Sequence, residues 1–204
     1  MELHSARTVI RPWHRGDDDV MERWPPYSDP LEPLWNLPRA FSSADFWPGA
    51  FMTPYEREAW AVEGLDGRLM GRISLREKDQ RNRQARLGVT FGSPYVSRGL
   101  GTEALTRFLH YYFVDMQFAI MLLDVAAPNE RAVRCYERLG FWYVSSDWRQ
   151  ASSMFDWHIL ERPSYRHLSR FFSSERRGLM VEFFEMRLDR EHWRAHTYAH
   201  SAAS

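Results

Sequence analysis

Residues 92–103 have the sequence GSPYVSRGLGTE, and this stretch decides the fold of the chain. Before it, apolar side chains at residues 87–91 alternate with small or polar ones, which predicts a β-strand. After it, apolar side chains recur at helical spacing over residues 105–116, which predicts an amphipathic helix. The sequence therefore predicts a strand, a glycine-containing turn and a helix in direct succession.

The turn has the features of an anion site. Gly99 and Gly101 permit positive φ and let a ligand approach the backbone closely. The helix that follows begins with N–H groups that lack helical partners, at the positive end of its dipole. Arg98 adds a charged donor for phosphate oxygens. A Gly-x-Gly turn is also an ordinary strand–helix connection, and the third glycine of a dinucleotide fingerprint and the lysine of a P-loop are both absent.

A second unit follows about thirty residues later. Residues 118–125 are apolar on both faces, which predicts an interior strand. Residues 129–141 have the sequence NERAVRCYERLGF, in which Asn129 is a favourable N-cap and Gly140 a helix stop. Tyr136 falls on the inner face of the predicted helix. Two strand–helix units therefore follow one another along the chain.

Further strands are predicted on both sides of these units. They cover residues 3–11, 60–63, 69–75, 141–144 and 181–188. Asp66 and Gly67 form a hairpin turn signal, so three successive strands up to residue 91 are expected to be antiparallel. Residues 76–83 are polar and predict a solvated turn, and residues 189–195 predict a short terminal helix. Asp17 lies in the acidic first turn of a short helix near the start of the chain.

Composition excludes several classes of protein. Lys plus Arg and Asp plus Glu number 27 each, so a net charge of zero excludes a generally basic nucleic-acid binder. The single cysteine, Cys135, excludes a disulfide framework and a cysteine-built zinc site. The apolar stretches are too short to cross a bilayer, and the first seven residues lack a signal-peptide pattern. We expect a cytoplasmic protein with one domain over residues 1–195, a flexible tail at residues 196–204, and no nucleic-acid or membrane partner.

Two segments do not show a regular period. Residues 24–55 are rich in proline and aromatic residues and are interpreted as packing over the core or as a wall or lid of a substrate pocket. Residues 147–178 exceed a usual loop, and a dimer contact or a substrate flap is the preferred interpretation. His192, His196 and His200 share a helical face, but no carboxylate or cysteine completes a metal-ligand set.

Together the two units resemble the GNAT superfamily of acyl-CoA-dependent N-acyltransferases. Residues 99–104 (GLGTEA) and 129–141 look like its ribosomal-protein N-acetyltransferase (RimJ/RimL-like) branch, and the resemblance covers residues 59–145. It implies an α/β (α+β) fold with a mixed, mostly antiparallel sheet of six to seven strands and helices on both faces. Its two central strands, here residues 87–91 and 118–125, would splay apart to admit acyl-CoA.

The resemblance also implies the binding residues for acetyl-CoA, with no metal. The pantetheine arm would pair with backbone groups at the end of the first splayed strand, and the diphosphate would lie on the turn. The predicted cofactor-binding residues are Thr90, Phe91, Gly92, Ser97, Arg98, Gly99, Leu100, Gly101, Thr102 and Asn129. Val96 replaces a Gln or Arg that is frequent in the superfamily, and Arg98 would supply the missing donor.

The implied reaction is attack of an amine on a thioester. The amine must first lose a proton, and a backbone N–H near Phe91 would stabilise the charge on the thioester oxygen. Tyr136 would give a proton to the leaving thiolate, or it packs only as a core residue. Some family members carry a base carboxylate where this chain has Gln84-Ala85-Arg86, so no base is assigned. The candidates are Glu63, Asp124, His158 and Glu182.

Two functional hypotheses follow. The first is an acetyl-CoA-dependent N-acetyltransferase that acts on a primary amine, such as a protein N-terminus, a polyamine, an amino acid or an aminoglycoside. The alternative is a GNAT-fold regulatory module that binds coenzyme A without turnover. Formation of a homodimer is a further hypothesis. A nucleotide-binding switch protein is excluded because the P-loop lysine is missing.

Overall fold

The computed structural model describes residues 1–38, 58–176 and 178–201. In these parts of the chain there are nine β-strands: β1 Leu3–His4, β2 Thr8–Pro12, β3 Glu58–Gly64, β4 Leu69–Asp79, β5 Gln84–Phe91, β6 Ile120–Ala126, β7 Trp142–Gln150, β8 Phe172–Glu175 and β9 Gly178–Asp189. The α-helices are α1 Arg15–Glu22, α2 Leu100–His110, α3 Glu130–Arg138 and α4 Arg190–Ser201. Short 3-10 helices cover Glu32–Leu34, Ser93–Tyr95, Trp157–Glu161 and Arg166–Phe171, and a π-helical turn, Tyr111–Asp115, continues α2.

The strands form one mixed sheet in the order β1-β2-β3-β4-β5-β6-β9-β7, with β8 paired to β9. Every pairing is antiparallel except that of β5 with β6. The mixed, mostly antiparallel sheet is thus confirmed, but the predicted number of six to seven strands is too low. Residues 3–11 form a hairpin rather than one strand, because a turn closed by the Ser5–Thr8 backbone hydrogen bond separates β1 from β2. β8 adds a further strand inside the segment that lacked a period.

The two central strands separate along their length. β5 and β6 pair in parallel only from Gln84↔Ile120 to Leu87↔Leu123. Beyond these pairs, residues 88–91 of β5 and residues 124–126 of β6 do not pair with one another. The predicted splaying is confirmed, and it opens a gap in the middle of the sheet.

Each face of the sheet carries a hydrophobic core. On one face, Phe108 and Tyr112 of the α2 region pack with sheet residues such as Ile73 and Leu123, and Trp193 of α4 joins them. The second core lies around Val181 and Phe183 of β9. It is completed by side chains of the 3-10 helices and neighbouring loops, namely Leu31, Leu34, Phe155, Ile159 and Leu168. Helical elements thus cover both faces of the sheet, as predicted.

Several element boundaries differ from the sequence-based expectation. Residues 76–79 belong to β4 rather than to a solvated turn, because Arg76 pairs with Arg86 of β5 and a bulge carries the pairing on to Asp79. The terminal helix continues to Ser201, so the predicted tail from residue 196 is helical over most of its length. In the segment at 24–55, the described part contains the helical turn Glu32–Leu34, and residues 39–55 lie outside the described residues.

Candidate active site

A cavity of about 1820 Å³ extends from the gap between β5 and β6. Eight predicted site residues line it: Thr90, Phe91, Ser97, Gly99, Gly101, Thr102, Asn129 and Tyr136. The other three, Gly92, Arg98 and Leu100, do not. At Gly92 a side chain would meet the indole of Trp24 at 2.8 Å, so this glycine is required for packing. The structure therefore brings both sequence motifs to one cavity.

The turn before α2 presents free amides to the cavity. Gly99 has φ +78° and Ser97 has φ +61°, both in the left-handed region that favours glycine. The Glu103 N–H donates to the Gly99 carbonyl at 3.0 Å and is the first helical bond of α2. The N–H groups before it therefore lack helical partners, at the positive end of the helix dipole. This cradle fits a diphosphate, which accepts several hydrogen bonds at once.

Arg7 holds this turn in place. Its Nη1 donates to the Arg98 carbonyl at 3.2 Å, and its Nε donates to Glu103 in the first turn of α2 at 2.7 Å. Ser5 donates to the same carboxylate at 2.8 Å. The pKa of Glu103 is lowered: desolvation opposes the shift, and the bonds from Arg7 and Ser5 outweigh it. Arg7 lies far from the turn in sequence, and no local motif identified it.

The second motif supplies Tyr136. The Asn129 side chain accepts from the Ala132 N–H at 3.2 Å, which confirms the predicted N-cap of α3. Cys135, directly before Tyr136 in α3, has its Sγ 3.2 Å from Thr102 Oγ1 and so links the two motifs. Cys135 is thus a half-buried contact residue between helices.

The Tyr136 hydroxyl is available to a ligand. The residue is half-buried, its ring packs edge-on against Phe141 at 5.8 Å between centroids, and its hydroxyl has no hydrogen-bond partner among the described residues. Burial raises the pKa of Tyr136; Cys135 adds to this and Arg76 opposes it. The phenol therefore stays protonated at neutral pH and can act as a donor.

A buried ionic network closes the inner end of the gap, where β5 and β6 meet. Arg86 is 5% exposed and donates to Glu77, Asp124 and Glu185 at 2.9, 2.7 and 2.9 Å. Arg149 lies 3.5 Å from the other oxygen of Asp124. Desolvation lowers the pKa of Arg86, but the carboxylates of Asp124, Glu77 and Glu185 raise it by more. The net effect is a raised pKa, so the guanidinium stays charged. The network ties β5 to β4, β6 and β9.

The four base candidates lie in different surroundings. Glu63 pairs with Arg11 and does not line this cavity. His158 is exposed on a 3-10 helix, and Glu182 is also absent from the cavity wall. Asp124 lines the cavity, but it is buried between two arginines. Of the four, only Asp124 lines the cavity, and its two oxygens already pair with Arg86 and Arg149.

The described part of the segment at 24–55 forms another wall of the cavity. Tyr27 and Trp35 pack edge to face at 4.8 Å, and the Arg131 guanidinium lies 5.1 Å from the Trp35 ring. The Tyr27 hydroxyl donates to the Phe91 carbonyl at the outer end of β5. Arg149 donates to the Leu37 carbonyl at 2.9 Å and so ties this wall to β7.

His192 and His196, the two terminal histidines whose side chains are described, belong to no candidate metal-ligand group. Within the described ranges, no group of three or more His, Cys, Asp or Glu residues could hold a metal ion. His196 hydrogen-bonds the Arg138 carbonyl at 2.9 Å, and its ring lies 6.4 Å from that of His192. The side chain of His200 lies outside the described residues.

In the part of the chain that the structure describes, no helix has the length and apolarity needed to cross a membrane.

Sequence reasoning missed Glu77 and Arg149 as cavity residues, and it missed the buried Arg86 that donates to Glu77 and Asp124. The sequence predicts a polar turn at Glu77 and shows no regular period around Arg149. Arg86 occupies a position where some members of the resembled family carry a base carboxylate. A charged residue inside a strand pattern was the one available signal, since a buried arginine needs partners.

Comparison with known proteins agrees with this geometry. Residues 7–142 match the model of the acetyltransferase (GNAT) domain. The chain is 29% identical over 106 residues to a Bacillus subtilis (strain 168) protein named "Putative ribosomal N-acetyltransferase YdaF", covering 49% of this chain and 58% of that protein. It is 28% identical over 137 residues to the spermidine N(1)-acetyltransferase of Escherichia coli (strain K12), covering 66% of this chain and 68% of that enzyme.

A solved structure has the same fold. Spermidine N-acetyltransferase from Vibrio cholerae, solved with CoA and spermine, superposes with a TM-score of 0.65 and 16% identity, covering 93% of this chain and 99% of that chain.

Proposed function

Because the chain belongs to the acetyltransferase (GNAT) family, we propose that it is an N-acetyltransferase that transfers an acetyl group from acetyl-CoA to a primary amine. One observation carries the proposal: a single cavity contains the splayed strands, the turn with free amides and the unpaired Tyr136 hydroxyl. A module that only binds coenzyme A needs the first two features. The free hydroxyl at the inner end of the gap favours an enzyme.

The cradle and the gap would hold the two ends of the co-substrate. Amides of residues 100–102, with Ser97 and Gly99 shaping the turn, would bind the diphosphate. Backbone groups of residues 88–91, which lack a β6 neighbour, would pair with the pantetheine amides. When bound, acetyl-CoA supplies an activated acyl group on sulfur. Arg98 and Asn129 would reach the cofactor from either side.

Tyr136 would donate the proton that the departing thiolate needs. A phenol and a thiol differ by ~1.5 pKa units in water, or roughly 2 kcal/mol against full transfer. Burial disfavours both anions, so the site does not penalise the phenolate alone. This cost is small beside an enzymatic rate effect of ~8 kcal/mol or more. The charge that develops on the carbonyl oxygen would be stabilised by a backbone N–H at the inner end of residues 88–91, rather than by one near Phe91, which lies at the outer end of β5.

The acceptor would be a protein N-terminus or a small-molecule amine, in the cytoplasm. One relative named above is a spermidine N(1)-acetyltransferase, and another is named as a ribosomal N-acetyltransferase. Both classes of acceptor, small-molecule amines and protein N-termini, are therefore kept in the proposal. The wall that faces the acceptor combines aromatic rings with charges of both signs, among them Trp35, Glu32, Arg72 and Asp147. Homodimer formation stays a prediction.

The test is an acetylation assay with labelled acetyl-CoA and a panel of amines: spermidine, a peptide with a free α-amino group, an amino acid and an aminoglycoside. We expect transfer to at least one of them. In Tyr136→Phe, the Kd for acetyl-CoA should be unchanged while kcat falls at least tenfold. Binding of acetyl-CoA without transfer to any acceptor, in both forms, would support the regulatory module instead.

A further inference from the structure

We propose that Glu77 is the catalytic base that takes the proton from the acceptor amine; this rests on the acetyltransferase function proposed above. Glu77 and its neighbour Arg76 both line the cavity. In a regular strand, adjacent side chains point to opposite faces of the sheet, so only one of the two would do so. A bulge in β4 explains this, because Glu77 and Lys78 together oppose a single residue of β5.

The backbone at Glu77 is unusual for its residue type. Its φ of +50° lies in the left-handed region, which in such a bulge is normally occupied by glycine. A glycine here would remove the backbone strain but also the carboxylate. Strain at a cavity wall points to a function of the side chain that it positions.

Glu77 also has an oxygen to spare. Its Oε2 accepts from Arg86 Nε at 2.9 Å, and its Oε1 has no partner among the described residues. The side chain is 48% exposed, against 6% for Asp124, whose two oxygens face Arg86 and Arg149. A base must reach the proton that it removes and must be free to accept it. Glu77 meets both conditions and Asp124 does not.

The position of Glu77 matches the expected position of the thioester. The diphosphate cradle lies at the outer end of the gap, so the reactive end of the arm points inward along residues 88–91, roughly 10 Å of strand. Arg76 is in register with Arg86 at the inner end, and both Arg76 and Tyr136 line the cavity. The proposed base, which follows Arg76 in β4, is therefore at the inner end, where the function proposed above places the proton donor.

The cavity wall carries other carboxylates, of which Glu103 accepts from Arg7 and Ser5, and Asp147 accepts from Arg149. Glu32 has to be considered as well. It begins the 3-10 helix that precedes Trp35, and Trp35 packs on Tyr27, whose hydroxyl bonds Phe91 at the outer end of β5. Glu32 therefore lies toward the wrong end of the arm for the reaction. This comparison favours Glu77.

Glu77 takes one proton from the ammonium form of the acceptor, and the freed nitrogen lone pair forms a bond to the acetyl carbonyl carbon. The carbon–sulfur bond breaks, and its electron pair stays on sulfur. Sulfur takes the proton of the Tyr136 phenol. The second proton lost from nitrogen then protonates the Tyr136 phenolate again. Glu77 returns its proton to water.

The charges around Glu77 are Arg86 across on β5, Arg76 beside it on β4, and Asp124 and Glu185, which share the Arg86 guanidinium. The test compares Glu77→Gln with Glu58→Gln. Glu58 is a similar control, 45% exposed and paired with Lys78 outside the cavity. Both variants are assayed with the amine that the wild type acetylates fastest in the panel above, across a pH series.

Glu77→Gln should lower kcat/KM about 100-fold or more, leave the Kd for acetyl-CoA unchanged, and shift the acidic limb of the pH profile. Glutamine still accepts a hydrogen bond from Arg86, so a purely structural role would be preserved. Glu77→Gly, which suits the backbone, should also be slow and should regain activity when formate is added. Glu58→Gln should match the wild type.

Full activity in Glu77→Gln, or an equal loss at every pH without formate rescue in Glu77→Gly, would overturn the assignment of the base and leave the proposed function intact. Absence of transfer by the wild type would overturn the proposed function and the base together.

Discussion

Replacing Arg86 by leucine should destabilise the protein strongly. Arg86 is 5% exposed and is the shared cation of Glu77, Asp124 and Glu185. Removing one partner of a buried ion pair costs about 3–5 kcal/mol, because the remaining charge is left uncompensated. Asp124 keeps Arg149 at 3.5 Å, and Glu77 can turn toward water, so the lower end, about 3 kcal/mol, applies here. For a chain of this size that loss lowers Tm by roughly 6–12 °C.

The loss should depend on pH in a defined direction. Without Arg86, the Asp124 and Glu185 carboxylates lose the cation that they share, and their negative charges repel each other. Protonation removes this repulsion at low pH, and the repulsion is fully present at neutral and higher pH. The difference in stability between wild type and Arg86→Leu should therefore be larger at pH 8 than at pH 5.

Urea unfolding, followed by tryptophan fluorescence at both pH values, measures this difference. Arg134→Leu is the matched control, because Arg134 is 63% exposed and its pair with Glu130 is a surface pair worth about 0.5 kcal/mol or less. A difference below 1 kcal/mol for Arg86→Leu at pH 8, or one that is equal at both pH values, would refute the role given to the network.

Three other substitutions test separate parts of the structure. The hydrogen bond from Arg11 holds the pKa of Asp17 below its usual range, so its stabilisation is present above pH ~4 and lost as pH falls through the lower folded pKa. Asp17→Asn should lose about 1–2 kcal/mol at pH 7 and less at pH ~3, in thermal melts. Gly99→Ala places a side chain at positive φ, so it should cost about 1 kcal/mol and weaken acetyl-CoA binding in calorimetry. Tyr112→Phe removes a hydrogen bond to the Ile120 carbonyl and should lower the unfolding free energy by about 1 kcal/mol. An equal loss of stability at both pH values would contradict the prediction for Asp17→Asn. Unchanged affinity for acetyl-CoA would contradict that for Gly99→Ala, and an unchanged unfolding free energy would contradict that for Tyr112→Phe.

The parts of the fold that local pattern determines were predictable. The apolar side chains of α2 recur at helical spacing, and Leu105, Phe108, Leu109 and Tyr112 are all buried. The cap of α3 was also predictable, because Asn129 bonds a backbone group only three residues away. Interactions of this kind, between residues close together in the sequence, can be predicted from the sequence alone.

The inner end of the site was not predictable in the same way. Arg86 contacts carboxylates from three other strands, and their meeting depends on the order β4-β5-β6-β9 rather than on any spacing in the sequence. The inward direction of Glu77 depends on a bulge, and a polar run that contains a bulge has the same composition as a solvated turn. The resemblance located the cofactor motifs but assigned no base, and the four base candidates taken from the sequence did not include Glu77.

A structure of the protein with coenzyme A tests the central claim most directly. The account predicts that the pantetheine arm lies between residues 88–91 of β5 and residues 124–126 of β6, with the diphosphate on the amides of residues 97–102 and the sulfur beside Tyr136. Coenzyme A bound elsewhere on the protein, with the gap between these two strands empty, would contradict it.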